Sequence, residues 1–263
     1  MSLRISILGS GSSGNATFVA TDSVRVLIDA GFSYKQIRLR LAEIGEDPEN
    51  LDAVVVSHEH SDHVAGLRML AKKTEASLWM TERTSRAIDF QGDEWKGLDP
   101  TLETFEAGSR LAIGDLEIDT FTIPHDAVDP IAFRVRHEGV KAGLVTDLGY
   151  IPQSVKHHVK GCDFLLLESN HDAEMLRVGP YPWSVKQRVA GKTGHLSNHA
   201  VAEFLRTDFD RCARTLVLGH LSGENNYPAT AELEVGAALA SVGCSDVRLM
   251  TAAQNAPSEV FRF

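Results

Sequence analysis

Few segments restrict the fold of this chain as strongly as VVVSHEHSDHVAG, residues 54–66. Directly after three valines, four side chains able to bind metal fall within six positions: His58, His60, Asp62 and His63. The valine run predicts a buried strand, and the four side chains then lie in the loop that follows it. Neutral imidazole and carboxylate suit zinc and similar divalent metals. The alternative is that surface histidines cluster here by chance. Some of the chain's 11 histidines could be neighbours by accident, but chance does not readily explain this whole pattern.

Three further candidate ligands stand at the ends of other apolar, strand-like runs. They are His125 in FTIPHD, Asp147 in GLVTDLG and His220 in LVLGHLS. Seven ligands can complete two sites: His58, His60 and His125 at one metal, Asp62, His63 and His220 at the other, with Asp147 bridging them. We therefore expect two divalent metal ions as cofactors, with zinc or manganese favoured and iron or nickel as alternatives.

The composition is that of an ordinary globular protein. Of 263 residues, 43% are hydrophobic and 24% are charged, and the formal net charge is −10. This acidic balance argues against broad, non-specific attraction to nucleic acid or to an anionic membrane. No apolar stretch is long enough to cross a bilayer and the start lacks a signal-peptide pattern, so we expect a cytoplasmic protein. Three widely separated cysteines predict neither a disulfide framework nor a cysteine zinc site.

Strand-like and helical runs alternate toward both ends of the chain, whereas residues 101–146 are almost entirely strand-like. This pattern predicts an α/β (α+β) fold of layered sheets flanked by helices. We find no repeat or linker and expect one domain over residues 1–263. The segment GSGSSG, residues 9–14, formally matches a dinucleotide-binding motif, but a strand-like run follows it. We predict a tight turn there, with a loop that lines a site as the alternative.

The ordered ligand blocks resemble the metallo-β-lactamase superfamily over nearly the full chain. The resemblance implies a four-layer αββα sandwich of two mixed sheets, with a dinuclear metal site at the edge of the sheets. It also implies that Asp29, in LIDAG, is a structural aspartate beside the ligands. Histidine at position 60, where a related redox branch has glutamate, favours hydrolysis. A bridging hydroxide between the metals would be the nucleophile, since the metals lower the pKa of the bound water toward ~7.

Two later blocks resemble the paired motifs of tRNase Z. They are LLLESNHD, residues 165–172, and GHLSNHAVAEFL, residues 194–205. The resemblance implies that Glu168 orients His195 and that His195 donates a proton to the leaving oxygen. Phosphodiester cleavage gains from such a donor because an alkoxide is a poor leaving group. Two alternatives for His195 are a cap on the helix that begins near Ser197 and a neutral core histidine.

Six segments together are similar to the bacterial YycJ/WalJ family: SGSSGN, SHEHSDH, ESNHD, GPYPWSVKQRV, GHLSNH and LGHLSGENNYP. This similarity implies a dinuclear phosphodiesterase that acts on DNA as a 5′ to 3′ exonuclease. We expect Asp62, Glu168 and His195 to be its catalytic residues. Two alternatives stay open: a hydrolase of a small cyclic phosphodiester, thioester or lactone, and a non-catalytic regulatory protein that retains the metal site as structure.

A stretch without acidic residues suggests where an acidic protein could hold DNA. Residues 175–202 contain no Asp or Glu, and they carry both basic and aromatic side chains. We predict that the substrate contacts Tyr181, Trp183, Lys186 and Arg188 here, and Ser197 and Asn225 in the neighbouring motifs. Basic residues interleaved with aromatic ones suit a groove for a nucleic-acid strand. The alternative is that Trp183 packs in the core and the cations are solvated.

Overall fold

The computed structural model describes residues 2–90 and 92–263. The strands are β1 Arg4–Gly9, β2 Ala16–Ala20, β3 Arg25–Ile28, β4 Ala53–Val55, β5 Ser77–Thr81, β6 Leu102–Phe105, β7 Arg110–Ile113, β8 Leu116–Thr122, β9 Ile131–His137, β10 Val140–Val145, β11 Phe164–Glu168, β12 Thr215–Gly219, β13 Arg248–Thr251 and β14 Phe261–Arg262. The α-helices are α1 Tyr34–Glu43, α2 Ser61–Val64, α3 Leu67–Lys73, α4 Glu82–Ile88, α5 Gln153–Val159, α6 Ala173–Val178, α7 Trp183–Val189, α8 Asn198–Thr207 and α9 Pro228–Ser241. Within the described ranges, these helices lack the length and apolar character needed to span a membrane.

Two mixed β-sheets flanked by helices make up the structure, as predicted. The chain divides into two compact units. The first unit comprises the chain up to Thr122 together with Ala127–Ile131 and Ala253–Phe263, and the second comprises Ile123–Asp126 and Ala132–Ala252. One folding domain over residues 1–263 stays a prediction.

The first unit contains a seven-stranded sheet in the order β14-β1-β2-β3-β4-β5-β6. Strands β1 to β3 are antiparallel neighbours, and β3 to β6 are parallel neighbours. Helix α1 packs on this sheet through the buried side chains Ile37 and Leu41, which are four residues apart and share one face. The GSGSSG segment forms a turn between β1 and β2, as predicted, because a strand and not a helix follows it.

The second unit contains strands in the order β13-β12-β11-β10-β9, and β10 to β13 are parallel neighbours. Every residue of β11 and of β12 is buried, as is typical of parallel strands covered on both faces. Helix α8 begins at Asn198, where the Ser197 hydroxyl accepts a hydrogen bond from the backbone N–H of Ala200. Because β10, β11 and β12 run in one direction, the residues that follow them lie at one edge of the sheet.

Candidate metal centre

The first group of predicted ligands is the HEHSDH loop, residues 58–63, in the first unit. Strand β4 ends at Val55, and the single turn of α2 begins at Ser61 inside the loop. This local path gathers three imidazoles: the ring of His58 lies 4.7 Å from that of His60 and 4.0 Å from that of His63, between centroids. The loop therefore brings its histidines together through local structure.

A buried carboxylate orients one histidine of the HEHSDH loop. Asp29 Oδ2 lies 2.8 Å from His63 Nδ1, and Asp29 Oδ1 accepts the backbone N–H of Ser57 at 2.7 Å. When Nδ1–H donates to the carboxylate, Nε2 carries the lone pair that a metal requires. Asp29 thus lies beside a predicted ligand, as the resemblance implied.

Asn15 also contacts the HEHSDH loop, a position that the sequence pattern did not indicate. Its Nδ2 lies 3.1 Å from His63 Nε2 and 3.3 Å from Asp62 Oδ2, while its Oδ1 accepts the N–H of Gly11. The residue that follows the GSGSSG turn therefore lies beside the candidate site, and lining of the site by GSGSSG itself stays a prediction. Gly31 permits the close approach of this region, because a Cβ there would lie 1.7 Å from the backbone oxygen of Asp62.

The second group is the strand-end cluster, formed by Asp147, Glu168, His195 and His220 in the second unit. Each side chain offers one potential ligand atom, and the four atoms lie within 4.8 Å of one another. Asp147 follows β10, Glu168 ends β11 and His220 follows β12. His125 lies beside the cluster, with Nε2 3.9 Å from Asp147 Oδ1. Burial lowers the pKa of His125 and so favours the neutral, metal-binding form.

Three of the predicted residues have a left-handed backbone. Asp29, Asp147 and His220 have φ angles of 61°, 62° and 53°, and each follows a strand. Such a conformation in a non-glycine residue costs of order 1 kcal/mol and persists where the surrounding structure imposes it. The turn redirects the chain directly after the strand, which places the side chain at the sheet edge.

Glu168 connects the members of the strand-end cluster. Its Oε1 accepts hydrogen bonds from His195 Nδ1 at 2.7 Å and from His220 Nδ1 at 3.1 Å. Its Oε2 accepts the backbone N–H groups of Leu148 at 2.9 Å and Leu196 at 3.1 Å. Burial raises the pKa of Glu168, but the charge and hydrogen bond of His195 and the hydrogen bond of His220 outweigh burial and lower the pKa to about 2. Glu168 is therefore ionised and accepts hydrogen bonds from two histidines.

His195 is paired with this carboxylate and does not cap a helix. Ser197 is the N-cap of α8, so the capping alternative for His195 is wrong. The His195 side chain is 15% exposed and can be reached from solvent. Burial lowers its pKa, but the charge and hydrogen bond of Glu168 outweigh burial, and the pKa is raised. A histidine whose protonated form is favoured in this way and that is partly open to solvent has the properties of a general acid.

The segment after Glu168 adds two buried residues to this region. Asn170 Nδ2 donates to the backbone oxygen of His220 at 2.8 Å and so fixes the turn after β12. The side chain of His171 is buried, and burial lowers its pKa to about 4 although the charge of Glu168 opposes the shift. His171 is therefore neutral near pH 7.

The predicted substrate residues have different surroundings. Trp183 is 71% exposed, so the alternative that it packs in the core is wrong. Tyr181 and Lys186 are half-buried, and Lys186 Nζ donates to the backbone oxygen of Arg177 at 2.8 Å. These placements leave aromatic and cationic groups on the surface of α7 and the turn before it.

The other three predicted substrate residues have structural contacts. Arg188 Nε donates to Asp126 Oδ2 at 2.6 Å, next to His125. Ser197 caps α8, and Asn225 is buried with its backbone N–H donating to Ser222 Oγ. Contact of any of these residues with a substrate stays a prediction.

Comparison with known families extends the resemblance over most of the chain. The model of the family described as "Beta-lactamase superfamily domain" matches residues 24–221. Exodeoxyribonuclease WalJ of Streptococcus pneumoniae serotype 2 is 40% identical over 230 residues, which cover 88% of this chain and 86% of that protein. Exodeoxyribonuclease YycJ of Bacillus anthracis is 35% identical over 245 residues, which cover 92% of this chain and 91% of that protein.

Solved structures share the fold at lower sequence identity. The metallo-β-lactamase fold protein YhfI from Bacillus subtilis superposes with a TM-score of 0.74 at 17% identity and covers 100% of this chain and 99% of its own. The short form of human tRNase Z has a TM-score of 0.62 at 16% identity, with 84% of this chain and 93% of that chain covered. These likenesses confirm the predicted fold.

Proposed function

The chain belongs to the metallo-β-lactamase superfamily, and from that membership we propose that it is a dinuclear metal-dependent phosphodiesterase that degrades DNA from the 5′ end. The observation that carries the proposal is the hydrogen bond of 2.7 Å between His195 Nδ1 and Glu168 Oε1, in a cluster with two predicted metal ligands. DNA is the favoured substrate because the two similar proteins from Streptococcus pneumoniae and Bacillus anthracis are named exodeoxyribonucleases.

The residues present fit divalent metal ions. The HEHSDH loop and the strand-end cluster supply imidazole and carboxylate groups, which are ligands for zinc and manganese. His63 and His220 each present Nδ1 to a buried carboxylate, at 2.8 Å and 3.1 Å. Such a contact is characteristic of a ligating histidine, because it fixes the tautomer that leaves Nε2 available to metal.

We assign seven residues to two ions. The proposed ligands are His58, His60, Asp62, His63, His125, Asp147 and His220. When bound, the ions supply charge stabilisation for the attacked phosphate and lower the pKa of the attacking water. The carboxylate of Asp62 lies 3.6 Å from His63 Nε2 and is oriented by the amide of Asn15, so it can also accept a hydrogen bond from that water.

His195 supplies the proton in the proposed reaction. Its Nδ1–H is held by Glu168, so the proton for the leaving oxygen comes from Nε2. The negative charge of Glu168 favours the protonated ring, which raises the fraction of enzyme ready to act as an acid. A pre-oriented acid of this kind contributes roughly 10²- to 10⁴-fold to the rate.

Glu168 has the positioning role. One oxygen holds the rings of His195 and His220, and the other holds the backbone next to Asp147 and next to His195. One carboxylate therefore fixes the proton donor relative to two predicted ligands. Misplacement of reacting groups by about 1 Å can cost on the order of 10² in rate, so this fixation matters for catalysis.

The test combines metal analysis with an assay on DNA. Metal-supplied wild-type protein should contain two ions per chain and should release mononucleotides first from the 5′ end of end-labelled DNA. Asp147→Ala should reduce the occupancy of both sites because a bridging carboxylate serves both, whereas His220→Ala should mainly empty one.

Two results would replace the proposal with its alternatives. Hydrolysis of a cyclic phosphodiester, thioester or lactone without hydrolysis of DNA would identify a small-molecule hydrolase. Hydrolysis of none of these substrates by fully metal-loaded protein would identify a non-catalytic metal-binding protein. A wild-type metal content that never exceeds one ion per chain would contradict the dinuclear assignment.

A further inference from the structure

A cleft of about 360 Å³ lies between α6 and α7 in the second unit. Ala173, Leu176 and Arg177 of α6 line one side, and Trp183, Lys186 and Ala190 of the α7 region line the other. Residues spaced by three, four or seven positions share one face of a helix. The cleft is therefore bounded by two facing helix surfaces, which combine apolar side chains with the cationic side chains of Arg177 and Lys186.

Trp183 gives this cleft an accessible aromatic wall. Its side chain is 71% exposed, whereas Trp95 is buried and Trp79 is half-buried with its ring N–H donating to Ser77 Oγ. Pro182 is the N-cap of α7 and restricts the backbone directly before the indole. An exposed indole offers a flat face on which a planar ring can stack.

The rim of the cleft carries positive charge in an otherwise acidic chain. Lys186 Nζ donates to the backbone oxygen of Arg177, which holds the ammonium group over the gap between α6 and α7. Arg177 itself pairs with Glu174 at 2.7 Å, so Lys186 is the cation whose charge is not matched by that carboxylate. Residues 175–202 contain no Asp or Glu, and the carboxylates of Glu174 and Asp126, which lie beside this stretch, are paired with Arg177 and Arg188.

We propose that this cleft binds one base of single-stranded DNA, stacked on Trp183, with Lys186 contacting the adjacent phosphate. The inference rests on the proposed function, since it takes DNA as the substrate. Ligand pockets usually measure about 300 to 1,000 Å³, so this cleft is at the small end of the range and suits one base better than a duplex. Stacking accepts any base, because every base has a flat ring face.

Helix α7, which lines the cleft, contacts the backbone of the proposed proton donor, His195. The backbone N–H of His195 donates to the oxygen of Val189, the last residue of α7, at 2.8 Å. Gly194 packs so closely on this helix that a Cβ there would lie 2.1 Å from the backbone oxygen of Arg188. A base held on α7 is thus kept at a fixed distance from His195, so the cleft would position the strand for cleavage.

The experiment compares a single-stranded oligonucleotide with bis(4-nitrophenyl) phosphate, a substrate that has no base. Trp183→Ala should reduce kcat/KM on the oligonucleotide by roughly 5- to 150-fold, the range expected for loss of one stacking contact. Trp183→Phe should restore most of this loss, and Lys186→Ala should flatten the salt dependence of oligonucleotide cleavage. All three variants should lose much less activity on the small diester than on the oligonucleotide, because the diester has neither a base nor a second phosphate to contact the cleft.

A matched control and a modified ligand complete the test. Leu233→Ala removes another exposed apolar side chain, on α9, and should change neither activity. An abasic oligonucleotide series should show one position at which loss of the base has the same effect as Trp183→Ala. Unchanged oligonucleotide cleavage in Trp183→Ala would overturn the inference while leaving the proposed function intact.

If the proposed function is wrong, wild type does not cleave the oligonucleotide at all. This outcome differs from failure of the stacking inference alone, in which wild type and Trp183→Ala cleave it equally. Where wild type does not cleave the oligonucleotide, binding is measured by the intrinsic tryptophan fluorescence of metal-loaded wild type and Trp183→Phe with oligo-dT. Quenching that is lost in Trp183→Phe supports the stacking site. Absence of quenching in wild type refutes it.

Discussion

The HEHSDH loop and the strand-end cluster contain the same kinds of side chain but are assembled in different ways. The loop gathers its ligands within residues 58–63, through one strand end and one helical turn. The cluster joins side chains between Asp147 and His220, which come from three parallel strands and one loop. Local spacing is sufficient for the first group, whereas the second depends on strand order.

The carboxylates that support the histidines, Asp29 and Glu168, also differ between the two groups. Asp29 contacts one predicted ligand, His63, and the Ser57 segment before it. Glu168 accepts hydrogen bonds from two histidines and two backbone N–H groups. Glu168 thus connects four groups of the strand-end cluster, whereas Asp29 supports one histidine of the HEHSDH loop and the backbone before it.

The largest expected effect concerns His195, which has no counterpart in the HEHSDH loop. His195→Ala should slow DNA cleavage by roughly 10²- to 10⁴-fold because the leaving alkoxide loses its proton donor. Metal content should remain at the wild-type level, since we assign this side chain to proton transfer. Steady-state kinetics and elemental analysis on the same preparation measure both quantities.

The control for His195→Ala is a substrate that hardly needs a proton. Bis(4-nitrophenyl) phosphate has an acidic leaving group, so the loss of rate should be much smaller than on DNA. Equal losses on the two substrates would refute the role of His195 as the acid.

An intermediate effect is expected from a matched pair of isosteric variants, Asp29→Asn and Glu168→Gln. Removing a carboxylate that supports a ligating histidine usually lowers metal affinity by about 10- to 100-fold. Glu168→Gln should have the larger effect and should also slow DNA cleavage, since its new amide N–H faces groups that are themselves donors. Chelator competition gives the metal affinities. Equal losses of metal affinity in the two variants would contradict the role of Glu168 as the residue that connects the strand-end cluster.

The last expected effect concerns stability and not activity or metal affinity: it is a pH dependence near the strand-end cluster. The pKa of His171 is lowered by burial from an ordinary value of 6.5 to about 4, so the unfolded chain binds the additional proton between these values. The contribution to the free energy of unfolding is full above pH 6.5 and is lost as the pH falls toward 4, in total on the order of 3 kcal/mol. Urea unfolding from pH 4 to 7 measures it.

His171→Gln should flatten this part of the profile, and the exposed His199→Gln serves as the control. A profile of His171→Gln that keeps the full wild-type slope would assign the pH dependence to other groups. The pH profile of unfolding should also be measured for Asp29→Asn, which changes the HEHSDH loop. A profile that keeps the wild-type slope would show that the effect is specific to the strand-end cluster.

Much of the fold and the family could be predicted from the sequence alone. The alternation of strand-like and helical runs indicated layered sheets flanked by helices. The ordered histidine and aspartate blocks indicated the superfamily, and that resemblance implied two mixed sheets. These signals are local, because an apolar run predicts a strand and the next few residues then lie at its end. The HEHSDH loop is the extreme case, since its spacing alone brings the three histidine rings together.

Only the tertiary structure decided which distant groups meet and in what geometry. Sequence did not reveal that Asn15 contacts Asp62 and His63, that Glu168 holds His220 as well as His195, or that Arg188 pairs with Asp126. Each of these contacts joins segments far apart in the chain, and strand order and register bring them together. The left-handed turns after the strands depend on the same packing, which imposes a positive φ on aspartate and histidine, two residue types that adopt it more readily than most.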